Sequence, residues 1–346
     1  MTLTAGTRYY RTENFEVGSN VGSFGCEIGG PYNSGSPPSP CVSTLATGVL
    51  SNLNNLDAKN LNTTYSGFKG RANLTWHVTP DALTYFTWSQ GFRPGGFNRA
   101  QSIIKPSSPI YGLFVPPLAY GPDYLTNNEL GWKTEWLGHR LQWNGAIYQE
   151  DWKDVQITVF DPGVTGNLIF TTNGPDYRVR GLETSLLARL SGHLTVHASA
   201  AWNRSEEVKT LALVPNNIVN PFGALGSPLA QAPPFQGNIR ARYEFPIGTY
   251  EAFWQVGAAR QGGSYASTDQ LSKTYQGSSV AFYDAGFTTY DASAGISKGA
   301  WALQAYGQNL SDTRAALFSS YISLKAVTVN RPRTLGLRFS YKFSGG

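Results

Sequence analysis

Phe235-Gln236-Gly237-Asn238-Ile239-Arg240-Ala241-Arg242-Tyr243-Glu244-Phe245 alternates without a break. Phe235, Gly237, Ile239, Ala241, Tyr243 and Phe245 take one side. Gln236, Asn238, Arg240, Arg242 and Glu244 take the other. A period of two places each set on one face of a strand, whereas a helix would scatter both around its circumference and bury neither. The same pattern recurs in Leu335, Leu337, Phe339, Tyr341 and Phe343 against Gly336, Arg338, Ser340 and Lys342. It recurs again in Leu194, Val196, Ala198, Ala200 and Trp202 against Thr195, His197, Ser199 and Asn203. Phe68, Ala72, Leu74 and Trp76 oppose Lys69, Arg71, Asn73 and Thr75 in a fourth. The chain is all-β.

Strand length then separates two architectures. Strands of globular proteins average about 5–6 residues, and these patterns run for about 10 to 13. Eleven residues cover roughly 36 Å, and a tilt near 45° projects that onto about 25 Å, the height of the apolar band of an outer-membrane barrel. Lys or Arg facing lipid at mid-depth costs about 2–4 kcal/mol each. The sides carrying Arg240, Arg242, Arg338 and Lys342 therefore face a wet lumen. A soluble sandwich would instead bury the apolar faces against a second sheet and leave the charged faces in solvent.

The connections favour the membrane sheet. Short turns are expected near Thr79-Pro80-Asp81, Leu137-Gly138-His139, Ser191-Gly192-His193, Pro246-Ile247-Gly248 and Lys298-Gly299. Long connections are expected near 12–63, 94–125, 162–175, 206–233, 264–287 and 311–330. The two kinds take turns, as periplasmic turns and extracellular loops do. The tryptophans, among them Trp76, Trp132, Trp136, Trp202, Trp254 and Trp301, fall near strand ends or on apolar faces, where interfacial belts form.

Composition agrees. Charged residues make up 14% and aromatics 13% of 346 residues, with 38 glycines. The charged share is well below the roughly 25% of soluble domains. Mean hydropathy is −0.26, too polar for a helical membrane protein, and no run approaches the ~20 apolar residues of a spanning helix. The net charge of +5 comes from scattered Lys and Arg, with neither a basic run nor zinc-ligand spacing, so nucleic acid is not an expected partner. His77, His139 and His193 lie at or beside turns, and His197 falls on a lumen-facing position. None pairs with a serine on a matched face, so no enzyme, metal site or cofactor is expected. Cys26 and Cys41 share one Gly/Ser/Pro-rich segment. Paired, they would staple a loop in an oxidising compartment, and unpaired they are two free thiols in a long connection.

Ser89-Gln90-Gly91-Phe92-Arg93-Pro94-Gly95-Gly96-Phe97-Asn98 resembles the strand-to-loop junction of the TonB-dependent outer-membrane receptors. Asn128-Glu129-Leu130-Gly131-Trp132-Lys133, Arg180-Gly181-Leu182-Glu183, Gln308-Asn309-Leu310-Ser311-Asp312 and the opening Arg331-Pro332-Arg333-Thr334 resemble further signatures of that family and follow in order across 64–343. The resemblance implies a barrel of about 22 strands around a plug domain. It also implies an outer-membrane location in a Gram-negative bacterium, among lipid and lipopolysaccharide. The implied partners are a ferric siderophore or similar bulky nutrient and the TonB energising complex.

About twelve strands are legible here, with no plug-like region. The whole of 1–346 is thus expected to be the C-terminal part of such a barrel, inactive without the missing plug and strands. Met1 leads straight into a strand with no signal peptide, which suggests truncation, and Phe343 is followed by Ser344-Gly345-Gly346 where the family ends on its aromatic.

A passive pore or structural barrel is the alternative reading. A plug encoded just upstream would separate the two. Ligand contacts are expected on the long connections: Arg93, Phe97, Asn98, Tyr111, Tyr120, Tyr124, Tyr265, Tyr283 and Tyr321. There aromatic faces and hydrogen-bonding groups lie together, and Arg93 would attract an anionic ferric complex. The competing role for these aromatics is to hold the loops together.

Overall fold

A computed structural model describes residues 1–17, 60–98, 110–160, 169–214, 222–266, 273–275, 278–280, 283–320 and 326–343. Among them there is no helix, and so none long and apolar enough to cross a membrane. Twelve strands form one antiparallel sheet in chain order. They are β1 (Thr2–Glu16), β2 (Leu61–Thr79), β3 (Ala82–Arg93), β4 (Asp123–Trp136), β5 (Leu141–Lys153), β6 (Asp176–Arg189), β7 (Leu194–Lys209), β8 (Phe235–Ile247), β9 (Tyr250–Gln261), β10 (Phe287–Lys298), β11 (Trp301–Gln308) and β12 (Thr334–Tyr341). Several exceed the expected 10 to 13 residues, and β2 reaches 19. They run past the apolar band into the loop region, where periodicity alone sets no end.

Every strand pairs with its sequence neighbours, and the connections alternate in length without exception. The short ones are 80–81, 137–140, 190–193, 248–249 and 299–300. The long ones are 17–60, 94–122, 154–175, 210–234, 262–286 and 309–333. Gly248 and Gly299 each open a two-residue turn with φ of 61° and 58°. A left-handed first residue gives the turn whose twist matches two right-twisted strands, and glycine adopts it without a Cβ penalty.

Register fixes the two faces. Leu3, Leu74, Phe86, Leu130, Ile147, Leu182, Trp202 and Phe235 stand opposite one another in turn from β1 to β8. Tyr243, Trp254, Ala294, Ala305 and Leu337 carry the same face on to β12. The other face presents Lys133, Asn144, Ser185, Ser199 and Asn238 in one such row. Asn238 Nδ2 donates to Ser199 Oγ at 2.6 Å on that side. Many large residues of the apolar face, Phe68, Ile147, Ile239, Val256 and Leu337 among them, are exposed. Nothing among the described residues covers them, and a sandwich would require such a cover where a lipid-facing band does not.

The packed clusters lie instead among the long connections. Ile110 and Val214 form one, with Phe114 and Leu213 against them. Val159, Phe170 and Phe222 form the second, joined by Ile157 and Leu211. Connections 94–122, 154–175 and 210–234 thus share apolar contacts and cap the sheet at one end. Among the described residues β1 and β12 do not pair with each other, so the sheet is open, with two edge strands.

Candidate functional site

The long connections leave the sheet at one end, and the expected contact residues lie on them or at their bases. At one such base, Arg93 closes β3 and stands opposite Asp123, the first residue of β4. Asp123 is only 1% exposed. Its Oδ1 accepts from the Arg93 backbone N–H at 3.2 Å and from Arg93 Nε at 3.2 Å, while Oδ2 accepts from Nε at 2.9 Å. A second Arg93 guanidinium nitrogen also donates to Oδ2, as does the Gln156 backbone N–H at 3.2 Å. Gln156 Nε2 bridges to the carbonyls of Pro94 at 2.8 Å and Gly121 at 3.0 Å. The Arg93 guanidinium lies 4.9 Å from the Trp152 ring centroid. Its charge is therefore matched inside the protein. The hub locks two connections onto the sheet.

Asn98 is a second staple. It is 9% exposed, and its Nδ2 donates to the carbonyls of Pro117 at 2.8 Å and Thr171 at 2.7 Å. Its Oδ1 accepts from the Thr171 N–H at 2.8 Å. Phe97 belongs to the two-residue ladder Gly96–Phe97 with Ala119–Tyr120. The Tyr120 ring covers Gly96, where an added Cβ would lie 2.6 Å from its hydroxyl. Tyr65 donates to the Tyr120 carbonyl at 3.2 Å. Phe97, Asn98 and Tyr120 thus come together, with the Asn98 amide engaged by loop backbone.

The remaining candidates are dispersed. Tyr124 follows Asp123 and meets Lys69, whose Nζ lies 4.2 Å from its ring centroid. Lys69 also lies 5.6 Å from the Phe92 ring, which packs beside Tyr10. Tyr265 and Tyr283 pair edge-to-face at 5.0 Å on a separate short ladder. Tyr111 and Tyr283 are 53% and 54% exposed, so both are free to meet a ligand. Tyr321, Cys26 and Cys41 lie outside the described residues.

Asn173 and Asn309, neither of them an expected ligand contact, make further staples. Asn173 Nδ2 donates to the carbonyls of Asp154 at 2.8 Å and Gly121 at 3.1 Å, and its Oδ1 accepts from the Gly121 N–H at 2.6 Å. Asn309, 5% exposed with φ of 48°, donates to the carbonyls of Thr313 and Arg331, both at 2.9 Å. The available signal was an amide side chain beside turn formers, as in Asn173-Gly174-Pro175. Such residues bond local backbone and tolerate the left-handed region.

Asp312, two turns of chain further on, accepts the Arg333 backbone N–H at 2.9 Å and pairs with Arg314. The Arg333 N–H, and then the Arg314 guanidinium, hold its carboxyl below the ordinary value of 3.8. A depressed carboxyl contributes stability above its unfolded value, and this is lost as pH falls through the folded one. The NMR shift of the Arg333 amide proton should therefore titrate with a midpoint below 3.8 and lose that titration in Asp312→Asn. A midpoint at or above 3.8 would show that the contact is absent in solution.

A family model described as "TonB dependent receptor-like, beta-barrel" matches residues 1–310. The chain belongs to the TonB-dependent receptor β-barrel family. Among solved structures, this receptor barrel resembles the ferric-catecholate import receptor Fiu from K12 E. coli. The TM-score is 0.63 at 19% identity, over 99% of this chain and 42% of that one. It also resembles the ferric yersiniabactin uptake receptor FyuA from Yersinia pestis, with a TM-score of 0.62 at 17% identity over 82% of this chain and 38% of that one. The copper transporter OprC gives 0.57 at 15% identity, over 82% and 41%. At such identities the likeness concerns the fold. The receptor barrel spans less than half the length of each of these three. No curated protein matches it.

Proposed function

We propose that this chain supplies the C-terminal part of the wall of an outer-membrane uptake receptor, with its long connections outside the cell. The observation that carries this is the two-faced sheet. The membrane-height band of one face is apolar and has nothing among the described residues to cover it, and the opposite face is polar. A stapled loop cap sits at one end. The remaining strands and the plug of the longer relatives would complete the barrel. Its energy would come from the TonB complex acting through that plug. The cargo is a ferric siderophore or a similarly bulky nutrient. Fiu and FyuA are receptors for ferric cargo by their descriptions, whereas OprC is a copper transporter, so the class of cargo rests on the first two. The chain performs binding and passage, not catalysis.

Tyr111, Tyr265 and Tyr283 are the contacts best placed for the ligand. Arg93, Phe97, Asn98, Tyr120 and Tyr124 act by holding the platform beneath them. Tyr321 completes the proposed set, and Cys26 with Cys41 would close one loop as a disulfide.

Sidedness tests the reading directly. In intact cells a membrane-impermeant thiol reagent should label Tyr111→Cys and leave His139→Cys unlabelled. The reverse pattern, or equal labelling, would overturn the orientation. For cargo, Tyr111→Ala and Tyr283→Ala placed in a full-length parent should each weaken ferric-siderophore binding by about tenfold, the loss of one aromatic contact. Phe97→Ala and Tyr120→Ala should act through loop order instead, lowering protease resistance together with affinity. Energy-dependent uptake by the present chain alone would sink the proposal that it is one part of a larger barrel.

A further inference from the structure

On the lipid-facing side of β6 and β7, the apolar row of Ile147, Leu182 and Trp202 ends abruptly. Two residues nearer the loop end, Arg180 and Arg204 stand opposite each other. Like charges in a cross-strand pair repel. Glu206 lies between them, at 3.8 Å from Arg180 and 3.4 Å from Arg204, and one carboxylate cannot neutralise two guanidinium groups. Arg178 follows one position further on the same face and is matched by Asp151 at 2.7 Å. The cluster keeps a positive surplus, and the Arg204 side chain is 82% exposed.

Beneath it runs an apolar groove of about 530 Å³. Small residues, Ala198, Ala200 and Gly237, floor it, and Trp202, Phe235 and Ile239 stand as its walls. The Trp202 and Phe235 rings are 5.2 Å apart. Arg260 sits at its edge on the same face. A bilayer-facing groove under a surplus of guanidinium groups matches a molecule with acyl chains below and phosphate above. Guanidinium groups hold phosphate in paired, charge-assisted hydrogen bonds.

The depth agrees. Ten residues separate Leu194 at the short-turn end of β7 from Arg204, about 33 Å along a strand and about 25 Å of height once tilted. That is the full apolar band, so the arginines sit at headgroup level. They lie at the long-connection end, and so in the outer leaflet.

We infer that this face of β6–β9 is a binding site for a phosphorylated glycolipid of the outer leaflet, of the lipid A kind. One or more acyl chains lie in the groove, and phosphate lies on Arg180 and Arg204. The inference rests on the proposed membrane orientation and adds to it a specific lipid and its residues.

Native mass spectrometry of the full chain released from detergent micelles doped with lipid A tests it. The chain should retain lipid A, and Arg180→Gln/Arg204→Gln should lower the occupancy about tenfold. Lumen-facing Arg240→Gln/Arg242→Gln removes the same charge and should leave occupancy unchanged. Ala200→Leu, which fills the groove and spares every arginine, should also lower it. Lipid A stripped of phosphate should be retained no better by the wild type than intact lipid A is by the arginine double variant.

Equal loss from the lumen pair would overturn the site, as would equal retention of phosphatidylglycerol or full retention by the outer pair. Insertion into vesicles of a full-length parent carrying this chain, read by protease protection, separates the two levels. A parent that inserts and retains no lipid A refutes this site alone. A parent that does not insert refutes the membrane reading beneath it.

Discussion

Arginine at position 200 should cripple the folded barrel, while arginine at position 201 should leave it almost unaffected. The two native residues are both alanine, adjacent in β7, so side-chain size and strand propensity cancel in the comparison. Only the face differs. Ala200 stands opposite Thr184 and Gly237 on the apolar face and floors the groove beside Trp202. Ala201 stands opposite Glu183 and Gln236 on the polar face.

Ala200 lies six residues above the short-turn end of β7, about 15 Å up a band of about 25 Å, which is close to mid-depth. A guanidinium there has neither headgroups nor water within easy reach. The expected cost is about 2–4 kcal/mol. At position 201 the new charge meets Glu183 in a wet lumen, and the change should stay within about 1 kcal/mol. Urea-unfolding midpoints of the two variants in lipid vesicles measure the difference. Equal midpoints would mean that the sheet does not face lipid on this side, and a lower midpoint for Ala201→Arg would invert the assignment.

The sequence made this face assignment legible because alternation over long strands leaves little freedom. A one-residue slip would turn every apolar residue of β8 toward the lumen. The same reasoning explains why the ordering of short and long connections was readable. Turn formers such as Gly248 and Gly299 mark where two long alternating runs reverse.

Strand ends were less legible. β1 continues to Glu16 and β2 begins at Leu61, where Thr12, Glu13, Thr63 and Thr64 offer no hydrophobic contrast. Those ends are set by hydrogen bonds between the two strands above the membrane band.

The site was legible only as a region. Arg93, Phe97 and Asn98 fall on a recognisable motif, Tyr120 lies on the same long connection, and composition alone suggested ligand chemistry for them. Their hydrogen-bond partners give Arg93 and Asn98 a stapling role as well, and those partners are distant in sequence. Asp123 comes 30 residues after Arg93, and Thr171 comes 73 after Asn98. No local pattern reveals a contact of that span. The arginine pair on the lipid-facing side was hidden for a related reason. Arg180 and Arg204 look like scattered charges until register sets them side by side.

Arg93→Ala should be the most damaging single change at the loop end, more so than Asp123→Ala. Removing the guanidinium leaves a carboxylate that is 1% exposed without its cation, and because the arginine side of the pair is half-exposed the cost falls at the low end of the buried-pair range, about 3 kcal/mol. Asp123→Ala leaves behind an arginine whose side chain is half-exposed and can turn to water, so its cost should be nearer about 2 kcal/mol. The backbone N–H groups of Arg93 and Gln156 lose their acceptor in that variant, which keeps the cost from vanishing.

The double variant should be more stable than Arg93→Ala alone, because it removes the stranded charge. A double-mutant cycle on unfolding midpoints gives the coupling. It also separates the two roles open to Arg93. If the residue serves only as a staple, ligand affinity in a full-length parent should recover along with stability in the double variant. If it also touches an anionic ligand, stability should recover while affinity stays low. Additive single-variant costs would show that Arg93 and Asp123 do not act as a pair, and the hub that anchors connections 94–122 and 154–175 would lose its basis.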